Sequence, residues 1–365
     1  MKWFCVFLAL LSGAVAADWL ELRQTELALA REKLALLAED GPWPVLPERT
    51  LKAGVRGDEV ALLGRMLLKT GDLESIGPEP GQFDLPLEEA VRAFQRRHGL
   101  DDDGVVGPRT RRALNTPPWV RLRQVDASLA RMAAFRPQAE QLVVNVPAFE
   151  LEWWQEDKLR LSSRIIVGRP SRPSPLLSTA ITGIELNPPW NVPYSIFRKD
   201  YLWKLRQDPG ILKRQYIDIV TGYGRQTQVL PMPDELPSPW PPHWRLRQRP
   251  GRHNALGLLK FVMPNDQAIY LHHTNQAGLF KKDRRAFSSG CIRVEAAFTL
   301  AEQLLADRPQ WRELLSTGEH LTLALARPLP VALVYWTAWV DQAGRLQLRD
   351  DLYGWDGSHF AQAGD

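Results

Sequence analysis

Two stretches, Ala268-Ile269-Tyr270-Leu271-His272-His273-Thr274 and Ala286-Phe287-Ser288-Ser289-Gly290-Cys291-Ile292-Arg293-Val294, decide how this chain is read. The first alternates as a strand does, with Tyr270 and His272 on one face and Ile269, Leu271 and His273 on the other. Ile269 and Leu271 belong against packing, which turns Tyr270 and His272 towards a cleft. Periodicity therefore favours His272 as a general base and leaves His273 as the alternative. The second stretch leads into a helical pattern with Phe298, Ala301, Leu304 and Leu305 in register, expected to start near Glu295. A thiol ahead of a helix N-terminus meets a partial positive charge that favours the thiolate, and Arg293 adds a full charge. Gly290 allows close approach of a substrate, and the amides of Gly290 and Cys291 would form an oxyanion hole. A thiol, an imidazole and amide donors are the parts that nucleophilic acyl chemistry needs.

The rest of the chain sets the context for this site. Its 365 residues allow one large domain or two to three ordinary ones, and 44% hydrophobic content is enough to bury a core. A formal charge of +4 is too small for a nucleic-acid binder, and no apolar run reaches the roughly 18 to 20 residues that span a bilayer. At the N-terminus, Lys2, the apolar run Trp3 to Leu11 and Ala14-Val15-Ala16 have the pattern of a secretory signal cleaved after about Ala16. Cleavage removes Cys5 and leaves Cys291 as a lone thiol in an exported protein, which cannot form an intramolecular disulfide.

Downstream, Leu20, Leu27, Leu34 and Leu37 mark an amphipathic helix stopped by Gly41 and Pro42. A second helix follows Pro118, with Leu122, Val125, Leu129 and Met132 on one face, and the two are expected to pack together as a scaffold. Between them lies a segment with three helical patterns: Val60, Leu63 and Leu67; then Ala90, Val91 and Phe94; then Thr110 to Leu114. From Leu142 the texture becomes β, with strand candidates at Val143–Val146, Glu150–Trp154, Leu159–Val167, Ile181–Leu186, Leu258–Met263, Ala268–His273, Leu321–Leu325 and Val331–Trp339. A Pro-, Trp- and Arg-rich stretch from Pro188 to about Arg252 interrupts it as an insertion over a cleft. The acidic, aromatic tail from Asp350 suggests no role by itself.

Two resemblances follow from these residues. The string Phe83-Asp84, Ala90-Val91-Arg92-Ala93-Phe94-Gln95, Gly99-Leu100, Asp103-Gly104-Val105-Val106-Gly107 and Thr110 resembles the peptidoglycan-binding repeat of cell-wall enzymes. Tyr270-Leu271-His272, the basic loop 273–288 and Ser289-Gly290-Cys291-Ile292-Arg293 resemble the active-site signature of the L,D-transpeptidases. Arg247-Gln248, Pro250-Gly251, Asn254-Ala255-Leu256-Gly257, Asn187-Pro188-Pro189-Trp190-Asn191-Val192-Pro193 and Arg198-Lys199-Asp200 are similar to the large subgroup of that family. One departure is His273, where many members carry an acidic residue.

The resemblance implies an α+β fold: a mostly-β catalytic domain with a capping insertion, an all-α scaffold and a three-helix peptidoglycan-binding module. The implied division is a signal peptide at 1–16, scaffold at 17–50 and 116–140, and the module at 51–115. The catalytic domain would span 141–327 with an insertion at about 194–252, and a C-terminal β segment and tail would fill 328–365. It also implies a cofactor-free, metal-free enzyme of the periplasm, monomeric, acting on donor and acceptor peptidoglycan stem peptides. Cys291 would attack a tetrapeptide stem, His272 would protonate the departing D-Ala, and the thioester would pass to an amine in a 3→3 crosslink. Tyr270 would assist the oxyanion, and Ser289 would orient the histidine or hold substrate. Arg293, Trp190, Asn191 and Ser288 would contact substrate, and carbapenem-type β-lactams would acylate Cys291. The basic run Lys281-Lys282-Asp283-Arg284-Arg285 is either a solvated face or an attractor of stem carboxylates.

Other readings use the same residues. A thiol carboxypeptidase or amidase would pass the acyl group to water, and a protein lysine could replace the peptidoglycan amine. A zinc site built from His253, His272, His273 and Cys291 conflicts with strand geometry, because adjacent strand residues point apart. A non-catalytic wall-binding protein would not need both the cysteine and the histidine.

Overall fold

The computed structural model describes residues 18–357, apart from 234 and 236. The expected signal segment and Cys5 lie outside the described residues. Among the described residues, nine strands make one sheet in the order β11-β3-β12-β10-β9-β4-β13-β1-β2. They are β1 (Glu140–Asn145), β2 (Glu150–Gln155), β3 (Lys158–Gly168), β4 (Leu177–Leu186), β9 (Leu259–Val262), β10 (Leu271–His272), β11 (Ala286–Ser288), β12 (Ile292–Val294) and β13 (Leu321–Val334). The intervening numbers, β5 (Trp190–Asn191), β6 (Ile217–Thr221), β7 (Gln228–Leu230) and β8 (Arg245–Gln248), belong to a separate four-stranded sheet in the insertion.

The main sheet curls on itself because β3 changes partner along its length. Lys158 to Arg164 pair with β2, Ile165 and Ile166 with β12, and Val167 and Gly168 with β11. Inside the curl, Leu142, Val144, Ile165, Ile184, Phe261, Leu271 and Ile292 pack with Leu300 and Trp311 of the helices Ala297–Leu304 and Trp311–Ser316. The next residues along β1 and β2, Val143 and Trp154, face outward, yet they too are buried. Strands covered on both faces read as nearly continuous apolar runs, which is how Leu142-Val143-Val144 looks in the sequence.

The cover on that outer face is the helical scaffold, α1 (Asp18–Glu39) and α5 (Pro118–Ala134). Leu20 and Leu27 of α1 meet Val125 and Met132 of α5 over Val143, Trp154, Val334 and Trp336. Trp19 stacks on Trp154 at 4.7 Å, and Arg23 makes two 3.0 Å bonds to Glu152 of β2 while lying over both indoles. The module between them is α2 (Asp58–Lys69), α3 (Leu85–Arg97) and α4 (Pro108–Asn115) around Val60, Leu63, Leu67, Val91 and Phe94. Asp84 caps α3 by accepting from the Leu87 amide at 3.0 Å. The turn at Asp103-Gly104 is tied to Gln95, whose side chain donates to Asp103 at 2.9 Å and accepts from the Gly104 amide at 2.9 Å.

Several sequence boundaries need correction. Leu321–Leu325 and Val331–Trp339 are not two strands: β13 runs through 321–334 with an irregularity in pairing between Ala324 and Leu329, so a division at 327/328 would cut a strand of the main sheet. β14 (Ala338–Val340) and β15 (Leu346–Leu348) form a separate hairpin. The insertion's sheet runs from Trp190 to Gln248, so it begins before 194 and closes before 252. The strand expected over 268–273 is only Leu271–His272. Leu27→Ala should empty a fully buried site between α1, α5 and the sheet and cost about 2 to 5 kcal/mol in a urea titration. Leu22→Ala, on the exposed side of α1, should stay within about 0.5 kcal/mol, and equal losses would contradict this packing.

Candidate active site

The site is built by register. β10 pairs in parallel with β12, Leu271 opposite Ile292 and His272 opposite Arg293, and the Ile292 amide donates to the Tyr270 carbonyl at 3.1 Å. On the other side, Phe261 and Lys260 of β9 lie opposite Leu271 and His272, and Ile184 and Glu185 of β4 come next. One row, Ile184, Phe261, Leu271 and Ile292, enters the core. The neighbouring row, Glu185, Lys260, His272 and Arg293, is polar and lies on the opposite face. Tyr270 stands beside Cys291 on that polar face, and its ring is 5.7 Å from that of His272. His273 points the other way: it lies edge-on to Phe298 at 5.0 Å, and its Nδ1 accepts from the Leu258 amide at 3.4 Å.

The turn that carries Cys291 is braced from below. Ser288 Oγ donates to the Cys291 carbonyl at 2.6 Å and accepts from the Gly290 amide at 3.1 Å. Ser174 Oγ donates to the Gly290 carbonyl at 2.6 Å and accepts from the Gly168 amide at 2.9 Å. Tyr353 accepts from the Ser174 amide at 3.1 Å and donates to the Gly168 carbonyl at 2.6 Å, which gives the aromatic tail a place in the site. Gly290 has φ +124°, and a Cβ there would stand 3.3 Å from Ile269 Cδ1, so a side chain is strained at this position.

Three expectations change here. Cys291 is followed by β12, and the helix begins only at Ala297, so no helix N-terminus acts on the thiol. Ser288 is buried, its hydroxyl is committed to the turn, and it occupies the Gly290 amide, leaving the Cys291 amide as the candidate oxyanion donor. Ser289 does not orient His272: its Oγ accepts from Arg172 at 2.9 Å and from Arg169 at 3.3 Å. Arg172 also makes a two-bond contact, 2.6 and 2.9 Å, with Asp200 of the insertion.

The electrostatics follow from burial. Burial pushes the half-buried Cys291 thiol up, opposed by the backbone and hydroxyl of Tyr270 and then by Lys260 and Arg293. Burial first and Arg293 second push His272 down to about 3. Its Nδ1 is 2.5 Å from the His273 carbonyl, and the Leu256 carbonyl also faces the ring. Burial raises Tyr270 well above its ordinary value, with Cys291 adding to the rise and a hydrogen bond from Trp190 opposing it. The resting pair is a neutral thiol and a neutral imidazole, with no hydrogen bond between them.

The remaining predicted contacts divide. Trp190 reaches Tyr270, whereas Asn191 is exposed, with its Oδ1 3.4 Å from Arg245. Arg293 donates to Gln276 at 2.7 Å and not to an acid, and its buried Nε has no partner. Trp240 packs on Phe197 and Trp244 within the insertion, while Tyr194 and Trp203 are exposed. In the basic run, Arg285 is buried on the carbonyls of Phe149, Ile165 and Lys282, and Asp283 pairs with Arg109 of the module; Lys281, Lys282 and Arg284 remain exposed. Among the described residues no three His, Cys, Asp or Glu side chains gather as a metal site. The sequence reading missed Arg169, Arg172, Ser174, Glu185, Lys260 and Tyr353. Arg169, Arg172 and Ser174 sit in a turn, Gly168-Arg169-Pro170-Ser171-Arg172-Pro173-Ser174, whose composition marks a loop but not its partners.

A His272 held near 3 against an ordinary 6.5 makes stability pH-dependent. Between those values the unfolded chain binds a proton that the folded one refuses, so stability falls as the pH drops from 6.5 towards 3. Buried His98 is also pushed down and adds a second contribution of the same sign. His272→Gln should reduce the loss between pH 7 and pH 5 by about 2 kcal/mol in urea titrations. Identical losses in the variant and the parent would contradict a neutral, buried imidazole.

Residues 139–313 match the family model described as the L,D-transpeptidase catalytic domain, and residues 56–114 match one described as "Putative peptidoglycan binding domain". A curated relative from Haemophilus influenzae, named "Putative L,D-transpeptidase", is 34% identical over 221 residues, covering 59% of this chain and 44% of its own. This chain thus matches less than half the length of that relative. Among solved structures, an L,D-transpeptidase from Xylanimonas cellulosilytica is 16% identical over 81% of this chain and 100% of its own, with a TM-score of 0.24. One from Stackebrandtia nassauensis is 11% identical over 80% of this chain and 96% of its own, with a TM-score of 0.30.

Proposed function

We propose that this chain, which carries an L,D-transpeptidase catalytic domain and a peptidoglycan-binding module, is an exported cysteine acyltransferase that makes 3→3 crosslinks between peptidoglycan stems. The observation that supports the reading is that His272 and Arg293 stand side by side on the polar face of β10 and β12, with Tyr270 and Cys291 next to each other at the start of those strands. The site of action is the periplasm, which the Lys2 to Ala16 pattern supports. No helix among the described residues is long and apolar enough to cross a membrane.

In the resting site, burial opposes both the thiolate and the imidazolium, so their ion pair does not form in advance. Proton transfer accompanies attack instead. The thiol proton passes to the His272 nitrogen that does not face the His273 carbonyl, while sulfur bonds to the carbonyl carbon of the third residue of a tetrapeptide stem. The carbonyls of His273 and Leu256 stabilise the imidazolium as it forms. The Cys291 amide and the Tyr270 hydroxyl face the developing oxyanion, and one such donor is typically worth about 3 to 4 kcal/mol. Collapse breaks the amide bond, the imidazolium protonates the departing D-Ala amine, and a thioester remains. An acceptor amine then attacks, loses its proton to His272 and releases the thiol. Trp190, hydrogen-bonded to Tyr270, closes one side of the site from the insertion.

The chain and its Cys291→Ala variant, incubated with purified disaccharide-tetrapeptide, separate the outcomes by mass spectrometry. The proposal expects a dimer lacking one D-Ala, present with the parent and at least about a thousandfold lower with the variant. Cys291-dependent tripeptide without dimer would replace crosslinking with hydrolysis. Unchanged tetrapeptide in both samples would overturn the reading.

A further inference from the structure

Three guanidinium groups surround the nucleophile turn, and one carboxylate answers them. Arg172 is nearly buried and spends its charge on Asp200, with bonds of 2.6 and 2.9 Å. Arg293 donates only to the neutral Gln276. Arg169 lies 3.5 Å from the same Asp200, which Arg172 already engages with both of its oxygens, and 3.3 Å from Ser289 Oγ. Its Nε is buried and has no hydrogen-bond partner. The Arg169 side chain is 39% exposed, so its guanidinium is reachable beside the turn, and a planar guanidinium matches a carboxylate better than most common groups. Ser289, which it touches, is two residues from the thiol.

We infer that Arg169 recognises a carboxylate of the acyl donor beside the scissile carbonyl, as a specificity-determining residue, with Arg172 and Asp200 positioning it between the turn and the insertion. This rests on the acyl-transfer reading for the identity of the donor. The geometry also divides labour: Arg172 is nearly buried and holds Asp200 with two bonds and Ser289 with a third, whereas the more exposed Arg169 shares Asp200 only at 3.5 Å and is the guanidinium a substrate can reach. Donors whose carboxylates are amidated would lose this contact and bind more weakly.

Two alkylating reagents of nearly equal size test the site without relying on turnover. Iodoacetate carries a carboxylate and iodoacetamide does not, so their rate ratio at Cys291 in the full chain reports carboxylate attraction at the thiol. Arg169→Gln should lower that ratio about threefold, the effect of one partly screened charge near the thiol. Arg169→Lys should restore part of it, and Lys213→Gln, exposed on the insertion, should leave it unchanged. In turnover, Arg169→Gln should raise KM about tenfold for a free-carboxylate donor, leave kcat within twofold, and leave the amidated donor unaffected. A ratio unchanged in Arg169→Gln, or lowered equally by Lys213→Gln, would overturn the inference. A ratio that falls in Arg169→Gln while the parent releases D-Ala from neither donor would keep the carboxylate site and remove the acyl-transfer reading.

Discussion

Everything at this site depends on two residues of β10 pairing in parallel with β12. Leu271 and Ile292 are drawn into the core by burial, and that fixes the register. Because strand side chains alternate with period two, the same burial turns Tyr270, His272, Cys291 and Arg293 to the opposite face. A slip of one residue would turn the thiol and imidazole into the apolar core and two aliphatic side chains onto the polar face. Hydrophobic packing thus sets where these four side chains stand.

A second layer of constraint fixes the turn that carries the thiol. Tyr353, Ser174, Ser288 and Gly290 form a chain of hydrogen bonds from the C-terminal tail to the backbone at Cys291. Buried polar groups of this kind are satisfied only in one arrangement, which makes the turn rigid. The scaffold has a related role at greater distance. Arg131 of α5 bonds to Asp356 and to the carbonyls of Tyr335 and Trp355, so the helices hold the tail that in turn holds the turn. The module reaches the same loop through Arg109 and Asp283.

Local pattern revealed much of this, and long-range contact did not. The heptad of leucines in α1, the three short helices of the module and the strand alternation at Tyr270 to His273 are periodic signals, and the structure contains each element. Strand alternation also placed His272 and His273 on opposite faces, and in the structure Phe298 lies against the latter. The helix-dipole argument for Cys291 failed because three residues, Ile292 to Val294, extend as a strand before the helix starts; β-branched Ile292 and Val294 carried that signal. Ser288 and Ser289 were misjudged for a different reason. Ser288 bonds within its own turn, to the Cys291 carbonyl and the Gly290 amide, whereas the partners of Ser289, Arg169 and Arg172, are more than a hundred residues away and nothing in the local sequence identifies them.

On the proposed mechanism, the half-buried Cys291 becomes acylated by a stem-peptide donor within this braced, largely neutral site. The most direct measurement is intact-mass spectrometry of the chain quenched in acid during turnover of disaccharide-tetrapeptide without a competent acceptor, followed by peptide mapping. The account predicts a hydroxylamine-sensitive adduct of one donor lacking D-Ala, mapped to the peptide containing Cys291 and absent from Cys291→Ala. D-Ala release with no adduct on that peptide, or with the adduct on another residue, would contradict it.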